Sequence, residues 1–291
     1  MNYYIKKSLR LIMRLLPWAV RDYIFFRWLM GYFPKIREPR TFCEKLLKRK
    51  RTQCHYNNRF SIMGDKFLVR SYISLVIGND NIVPIIDVYT SIKQLKRDIL
   101  NFHDVVIKPS HASGEIIYIN DYLTVAEAQA VLKKAANWLK LDFSKTACEY
   151  HYKKIPKKII VEKRIDSDDN PLKNYKFHIF NSRVGVNFVL HINGYDRQDP
   201  SLTTTYVNNL EQQYKGDYII DDEIKSIVEE AKNKSFKLAY SLDYARIDWY
   251  IHDGNLFFSE ITLTPAAGFL NRIGRELDQK MGEFWEFKHE L

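Results

Sequence analysis

Apolar residues change their spacing along this chain, and each change marks an element. Between residues 64 and 76, Phe67, Val69, Tyr72, Ile73 and Val76 recur at helical intervals and stop at Gly78, which predicts a helix. Thr41, with Glu44 three residues on, reads as a capping box opening another helix. Residues 82–89 are strand-like, and 91–100 form a short charged helix. From Asp104 the helical period is lost: Val105-Val106-Ile107 and residues 116–119 read as two strands around the small-residue loop Lys108-Pro-Ser-His-Ala-Ser-Gly114. A helix is predicted over 124–141 and a buried strand at Ile159-Ile160-Val161. Residues 174–192 alternate as a hairpin turning near 181–185. A polar, Asn- and Gln-rich stretch (193–215) leads to a long helix over 221–240, a hairpin over 244–262 and a C-terminal helix from about Asn271. Strands, helices and hairpins interleave, so the expected class is α/β (α+β) with a largely antiparallel central sheet. Repeats, low-complexity tracts and Gly/Ser linkers are missing, so any domains pack closely.

Composition narrows this picture. The 291 residues are 46% hydrophobic and 27% charged, a globular balance. No run of about 18 uncharged apolar residues occurs, which argues against a spanning helix. Arg10, Arg14, Pro17 and Arg21 interrupt any signal-peptide core near the start. Cys43, Cys54 and Cys148 lack metal-ligand spacing and suit a reducing, cytoplasmic setting. The net charge of +10 is concentrated early: Lys and Arg crowd residues 6–51, against Asp22, Glu38 and Glu44. Such a segment could meet nucleic acid, an anionic membrane or an acidic polymer. No nucleic-acid module is recognisable, so that partner is not expected. Residues 5–32 mix cations with Leu, Ile, Trp and Phe, as an interfacial helix does; a docked helix with a solvated basic face fits equally well.

Three constellations carry candidate chemistry. In Tyr244-Ala-Arg246-Ile-Asp248-Trp-Tyr-Ile-His-Asp-Gly-Asn-Leu-Phe-Phe-Ser-Glu260-Ile-Thr262, Asp253-Gly254 is a turn signal between alternating strands. A carboxylate on each strand offers the hard oxygens Mg²⁺ takes, one or two from protein and the rest from phosphates. A two-residue loop would pair Asp248 with Ser259 and send Glu260 to the other face. A three-residue loop, Asp253-Gly254-Asn255, pairs Asp248 with Glu260, and this register is the expected one. Taken alone, the motif also describes an ordinary hairpin with surface acids. Lys108, ending a strand before Ser110, His111, Ser113 and Gly114, can bring an ammonium and backbone N–H groups around phosphates; a polar loop with a snorkelling lysine is the plain alternative. His111 has no metal partner at i+4 and reads as a phosphate or substrate contact. Finally, Ile159-Ile-Val-Glu162-Lys163-Arg-Ile165 leaves a buried strand as a hinge would, and Lys176 on the 174–192 hairpin could face the same cleft. Neither G-x-G-x-x-G nor a Walker A loop is present.

In this order these pieces resemble the ATP-grasp superfamily, and more closely its teichuronopeptide-biosynthesis (TupA-like) branch, found among bacterial surface-polysaccharide genes. The matching stretches are Pro39-Arg-Thr-Phe-Cys-Glu-Lys45, Asp65-Lys-Phe-Leu-Val-Arg70, Val106-Ile-Lys108-Pro-Ser-His-Ala-Ser-Gly114, Glu149-Tyr-His-Tyr152, Ile160-Val-Glu162, Asn174-Tyr-Lys176-Phe and Asp248 to Pro265. The resemblance implies two antiparallel-sheet subdomains sandwiching ATP. Residues 1–90 would be a basic helical region, 91–165 a lid and 166–291 the subdomain with the Mg²⁺ site. It implies that Lys108 holds the α/β-phosphates under the 110–114 loop and that Glu162, Lys163 and Ile165 belong to the adenine hinge. Lys176 would contact phosphate or substrate, Arg246 the transferring phosphoryl or a carboxylate, and Asp248, Glu260 and Thr262 would ligate Mg²⁺. Two departures stand out: Asn174 replaces the usual acid before Tyr, and Thr262 an Asn common in the superfamily.

The activity so implied joins an amine or amino acid to a carboxylate through an acylphosphate. A sugar or polysaccharide carboxylate, such as a uronic acid of a capsule or O-antigen, is the expected acceptor, with the enzyme in the cytoplasm or at the inner face of the membrane. A phosphotransferase acting on a sugar hydroxyl, a non-catalytic nucleotide-binding module and a glycosyltransferase remain as alternatives, although Asp166-Ser-Asp168 is an isolated D-x-D.

Overall fold

The computed structural model describes residues 16–165, 172–193 and 203–287. The Asp166-Ser-Asp168 triplet and part of the polar stretch after Asn193 lie outside the described residues. Two antiparallel sheets organise the chain, and helices pack against both.

The four-stranded sheet has the order β1-β4-β2-β3, from β1 (Ile85–Tyr89), β2 (Val105–Pro109), β3 (Ile117–Ile119) and β4 (Ile159–Lys163). Central β4 is buried from Ile159 to Glu162, as a strand paired on both sides should be. Ile107, Ile119, Ile159 and Val161 pack against α6 (Ile92–Asp98) and α7 (Val125–Lys140) through Leu95, Ala128, Val131, Ala135 and Trp138. Strand alternation therefore sends Lys108 and Glu162 to the opposite face, away from these two helices.

The larger sheet runs β10-β9-β5-β6-β7-β8. Its strands are β5 (Lys173–Ser182), β6 (Gly185–Asn193), β7 (Thr203–Val207), β8 (Gln213–Lys215), β9 (Tyr244–His252) and β10 (Asn255–Thr262). Tyr175, Phe177, Ile179, Leu190, Ile247 and Trp249 face α9 (Asp222–Ala239), where the Trp249 indole N–H donates to Ser235 Oγ at 2.8 Å. Strands β7 and β8 fall in the stretch expected to be a polar connection. Thr203-Thr-Thr-Tyr-Val207 is β-branched, but its polarity hid the pattern.

The other face of this sheet is covered over one half only. There Phe180, Val189 and Tyr244 meet α1 (Trp18–Met30), α2 (Phe42–Arg51) and α10 (Arg275–Phe284) through Phe26, Phe42, Leu46, Met281 and Trp285. The Thr41–Glu44 capping box opens α2 as expected. Arg49 of α2 is fully buried: it pairs with Asp243, donates to the Tyr244 carbonyl at 2.9 Å and lies over the Trp285 ring. Lys50 is held by Asp22 of α1 and donates to the Ala267 carbonyl, each at 2.9 Å. Two buried cations thus tie the N-terminal helices to the open end of the β9–β10 hairpin. The C-terminal helix starts at Arg275, later than expected, because Asn271–Ile273 forms a 3-10 turn closed by Gly274 at φ 80°.

Helix α10 reaches α2 through a glycine. A Cβ on Gly282 would collide with the Arg40 carbonyl and lie 2.8 Å from Thr41 Cα, both backbone atoms. Gly282→Ala should therefore destabilise the fold by about 1–3 kcal/mol through overpacking, read as a lower denaturation midpoint; unchanged stability would contradict this contact.

Candidate active site

The β9–β10 hairpin turns at Asp253 (φ 48°) and Gly254 (φ 72°), a two-residue loop of the type Asp-Gly favours. His252 pairs with Asn255, so the expected three-residue loop is replaced by this shorter one. The expected pairing of Asp248 with Glu260 nevertheless holds, because the ladder shifts by one residue between Phe258 and Glu260. This bulge inserts Ser259 and restores both acids to one face, which loop length alone would not have done. It lies five residues from the turn, in a run with no Gly or Pro to announce it.

Around the acid pair the strands lay out rows of polar residues. Asp248 pairs with Lys176 on β5, and Lys176 with His191 on β6. One step along, Thr262 pairs with Arg246 and Arg246 with His178. Arg246 makes the central contact: Nε and Nη2 donate to the two Asp248 oxygens at 2.7 Å each, and Nη2 also reaches Glu260 at 3.2 Å and Thr262 Oγ1 at 3.0 Å. One guanidinium thus holds two like charges side by side.

Their environments differ. Burial works to raise the Glu260 pKa, but Lys66 and Arg246 outweigh it and bring it down to about 2. For Asp248, only 1% exposed, burial wins over Arg246 and the neighbouring Glu260 adds to it, so its pKa rises. Lys66, which sequence reasoning gave no role, spans the cleft: Nζ lies 3.4 Å from Glu260 Oε2 and donates to the Ala112 carbonyl at 2.9 Å. Its backbone N–H donates to the Ser110 carbonyl, so it fastens the 110–114 loop to the acid pair. The only hint in the sequence was Asp65-Lys-Phe-Leu-Val-Arg70.

On the facing sheet, Lys108 Nζ pairs with Glu162 Oε2 at 2.5 Å and Arg70 pairs with Glu162 Oε1. Burial disfavours the Glu162 charge, yet Lys108 and Arg70 together lower its pKa. Glu162 therefore orients two cations through its side chain. The N–H groups after it are committed elsewhere, Lys163 to the Pro84 carbonyl and Arg164 to that of Asp104. Lys163 is exposed and Ile165 half-buried at the edge of this sheet.

The 110–114 loop divides in two. Ser113 and Gly114 (φ 77°) are exposed at its tip. Ser110 is fully buried and donates to the Pro156 carbonyl, and His111 is 2% exposed with Nε2 at 2.9 Å from the Trp138 carbonyl. Burial lowers the His111 pKa. Both were expected to meet phosphate or substrate; both instead point inward from the turn that follows β2, Ser110 toward Pro156 and His111 toward Trp138 of α7. His178 and His191 escaped notice in the sequence. They stack edge to face at 4.8 Å, with His178 Nδ1 at 2.9 Å from the Tyr244 hydroxyl.

Two antiparallel sheets, one carrying Lys108 and Glu162 and the other the Asp248–Glu260 pair with Arg246 and Lys176, with Lys66 reaching between the 110–114 loop and the acids, make up an ATP-grasp fold. The D-alanine–D-alanine ligase of Helicobacter pylori shares it, with a TM-score of 0.51 and 14% identity over 77% of this chain and 60% of that one. The sequence profile described as TupA-like ATPgrasp matches residues 44–286, and the chain belongs to that family, within a superfamily of ATP-dependent ligases. Also similar in fold are an N5-carboxyaminoimidazole synthetase from Staphylococcus aureus complexed with ADP (TM-score 0.44, 14% identity, 70% of this chain and 45% of that one) and an L-amino acid ligase from Bacillus licheniformis (0.44, 13%, 77% and 46%). This chain spans about 60% of the length of the first of these structures. No curated protein matches it.

The acid pair fits magnesium in donor chemistry. Asp248 and Glu260 are hard, anionic and adjacent, and each carboxylate has lone pairs beyond those Arg246 uses. Among the described residues no three His, Cys, Asp or Glu side chains cluster as a metal site, so phosphate oxygens would have to complete the coordination.

A third acid stands behind the pair. Glu149 is 6% exposed and accepts a hydrogen bond from Thr264, just past β10. Burial raises its pKa from 4.5 to about 7, against the opposing pull of Lys50 and Thr264. The folded chain therefore binds a proton here that the unfolded chain has released, and stability falls as pH rises from about 4.5 to about 7. Glu149→Gln should remove this loss. Relative to the parent, the variant should gain on the order of 3 kcal/mol between pH 5 and pH 8. Urea titrations at several pH values check this; a pH-independent difference would contradict the assignment.

Proposed function

We propose that this chain uses MgATP to activate a carboxylate and joins it to an amine, the carboxylate belonging to a sugar of a bacterial surface polysaccharide and the amine to an amino acid. The observation that carries the reading is the row Lys176–Asp248–Glu260, locked by Arg246 and tied by Lys66 to the loop after Lys108.

A carboxylate resists attack because its leaving group would be oxide; transfer of the γ-phosphoryl makes the leaving group phosphate. The bond from the bridging oxygen to the γ-phosphorus breaks as one forms to the carboxylate oxygen. The amine then displaces phosphate and loses its proton. The Mg²⁺ held by Asp248 and Glu260, with Thr262 beside them, would neutralise phosphate charge. Lys108 and Arg70, oriented by Glu162, meet the nucleotide phosphates from the opposite wall. Arg246 and Lys176 stand where charge grows on the transferring group. Lys66 holds the loop tip, Ser113 and Gly114, over the phosphates and excludes water. Little else is needed, since positioning and electrostatics supply most of phosphoryl-transfer catalysis. The adenine would sit against the segment from Lys163 to Ile165.

Beyond Lys176 the same sheet face continues with Asn174 on β5 and His191 on β6. Asn174 Oδ1 and a His191 ring nitrogen are buried without a hydrogen-bond partner. Buried polar atoms of this kind need partners, and a hydroxyl-rich sugar acceptor offers them. Burial lowers the His191 pKa to about 3, so the ring is neutral and able to accept from a hydroxyl.

The test begins with thermal shifts of the full chain: MgATP should stabilise it and Mg-UDP-glucose, a nucleotide sugar without a carboxylate, should not. ADP release should then require both a uronate and an amino acid, with amide formed in equal amount. Phosphorylated sugar without amide would make the chain a phosphotransferase, ATP binding without turnover a non-catalytic module, and stabilisation by the UDP-sugar alone a glycosyltransferase. Each of these outcomes would overturn the ligase reading.

A further inference from the structure

Helix α1 is amphipathic in an unusual sense. Its inner face is well anchored: Phe26 is fully buried, Asp22 pairs with Lys50, and Arg21 donates to the Lys145 carbonyl at 2.5 Å. Its outer face is apolar where a solvated helix would be charged. Val20, Ile24 and Trp28, four residues apart, are 44%, 43% and 60% exposed. Tyr23 extends this stripe and stacks on exposed Phe33 at 5.4 Å, with the Arg27 guanidinium 5.4 Å above the same ring. Large apolar side chains are exposed elsewhere on the molecule, but here they form one continuous face on a helix that is already docked.

We infer that this face of α1 lies on an anionic membrane surface. Residue type is the first support. Trp, Tyr and Phe beside Ile and Val, with a single Arg whose head lies over an aromatic ring, are the side chains that suit the boundary between headgroups and acyl chains. The second support is charge. Lys6, Lys7, Arg10 and Arg14 precede the helix in sequence, exposed Lys35 and Arg37 follow it, and the chain as a whole carries +10. Each such cation near an anionic leaflet adds to attachment, and together they act as the second signal that a modest apolar face requires. A second copy of this chain is the competing occupant, but a copy with the same net charge of +10 is repelled where an anionic surface is attracted.

Geometry also fixes how α1 would sit. The helix has 13 residues, about 20 Å of length, too short to cross a hydrocarbon core of about 30 Å. No described helix is long and apolar enough to span a membrane. With its inner face held by Asp22 and Phe26, α1 would lie in the membrane plane as a fixed part of the protein and keep the enzyme's body at the surface. This inference does not rest on the ligase reading and adds a location to it.

The test is co-sedimentation of the full chain with vesicles of phosphatidylcholine alone, or of phosphatidylcholine with phosphatidylglycerol. The chain should pellet with the anionic vesicles and little with the neutral ones, and added salt should weaken the binding. The double variant I24E/W28E alters only half-exposed side chains, so it should keep the parent's melting temperature while losing roughly tenfold or more of its vesicle affinity. The double variant R10E/R14E should lose affinity for anionic vesicles alone. Failure of the parent to bind anionic vesicles, or I24E/W28E pelleting as the parent does, would overturn the inference. So would a parent dimer on gel filtration that I24E/W28E makes monomeric, which would assign the face to a second copy. Thermal shift with MgATP on the same samples reads nucleotide binding separately, so loss of one property is not mistaken for loss of the other.

Discussion

Two carboxylates on neighbouring strands repel, and a buried pair would ordinarily shed a charge or move apart. Here Arg246, two residues from Asp248 on its own strand, donates to both acids and to Thr262. A single planar fork supplies the opposite charge, the directional bonds and the spacing at once. Everything else at the site is arranged around that contact. Lys66 meets the free oxygen of Glu260 from the far side of the cleft, and Lys176 stands opposite Asp248 in the ladder. A lysine at position 246 would keep the charge but lose the fork.

The same hairpin is held from behind. Arg49 grips the start of β9 through Asp243 and the Tyr244 carbonyl, and Lys50 grips the turn after β10 through the Ala267 carbonyl. These cations lie next to each other on α2, which places that helix as a brace across the open end of the hairpin, opposite its turn. They are fully or almost fully buried, so the pairs contribute mainly by fixing one arrangement; removing either partner would leave a bare charge inside the fold. The half of the sheet face they cover is apolar, and the half left open is the polar site. The brace thereby decides where the cleft begins.

Much of this was legible in the sequence because local pattern and global fold agree. Helical spacing, the Thr41–Glu44 box and the Asp-Gly turn each follow from residues close in sequence. The pairing of Asp248 with Glu260 was anticipated for a partly mistaken reason: the offset comes from a bulge at Ser259, where the sequence carries no special residue, and not from the loop. Strands β7 and β8 were hidden because their side chains are polar, and sheet membership there is set by pairing with β6. Ser110 and His111 looked like phosphate contacts from their place in a small-residue loop, yet the turn after β2 commits them to the carbonyls of Pro156 and Trp138, partners distant in sequence. Lys66 and Glu149 were invisible as site residues because each acts across more than a hundred residues of chain, Lys66 on Glu260 and Glu149 with Thr264.

Whether the acid pair holds magnesium is read by calorimetric titration of ATP into the parent chain, D248N and E260Q, with and without Mg²⁺. If the Arg246-locked pair holds the metal of a MgATP complex, the parent should bind MgATP more tightly than free ATP. Each variant should lose that advantage, roughly tenfold or more in affinity, while free ATP binds them about as it binds the parent. Equal affinity of the parent for ATP with and without Mg²⁺, or an undiminished magnesium effect in both variants, would contradict it.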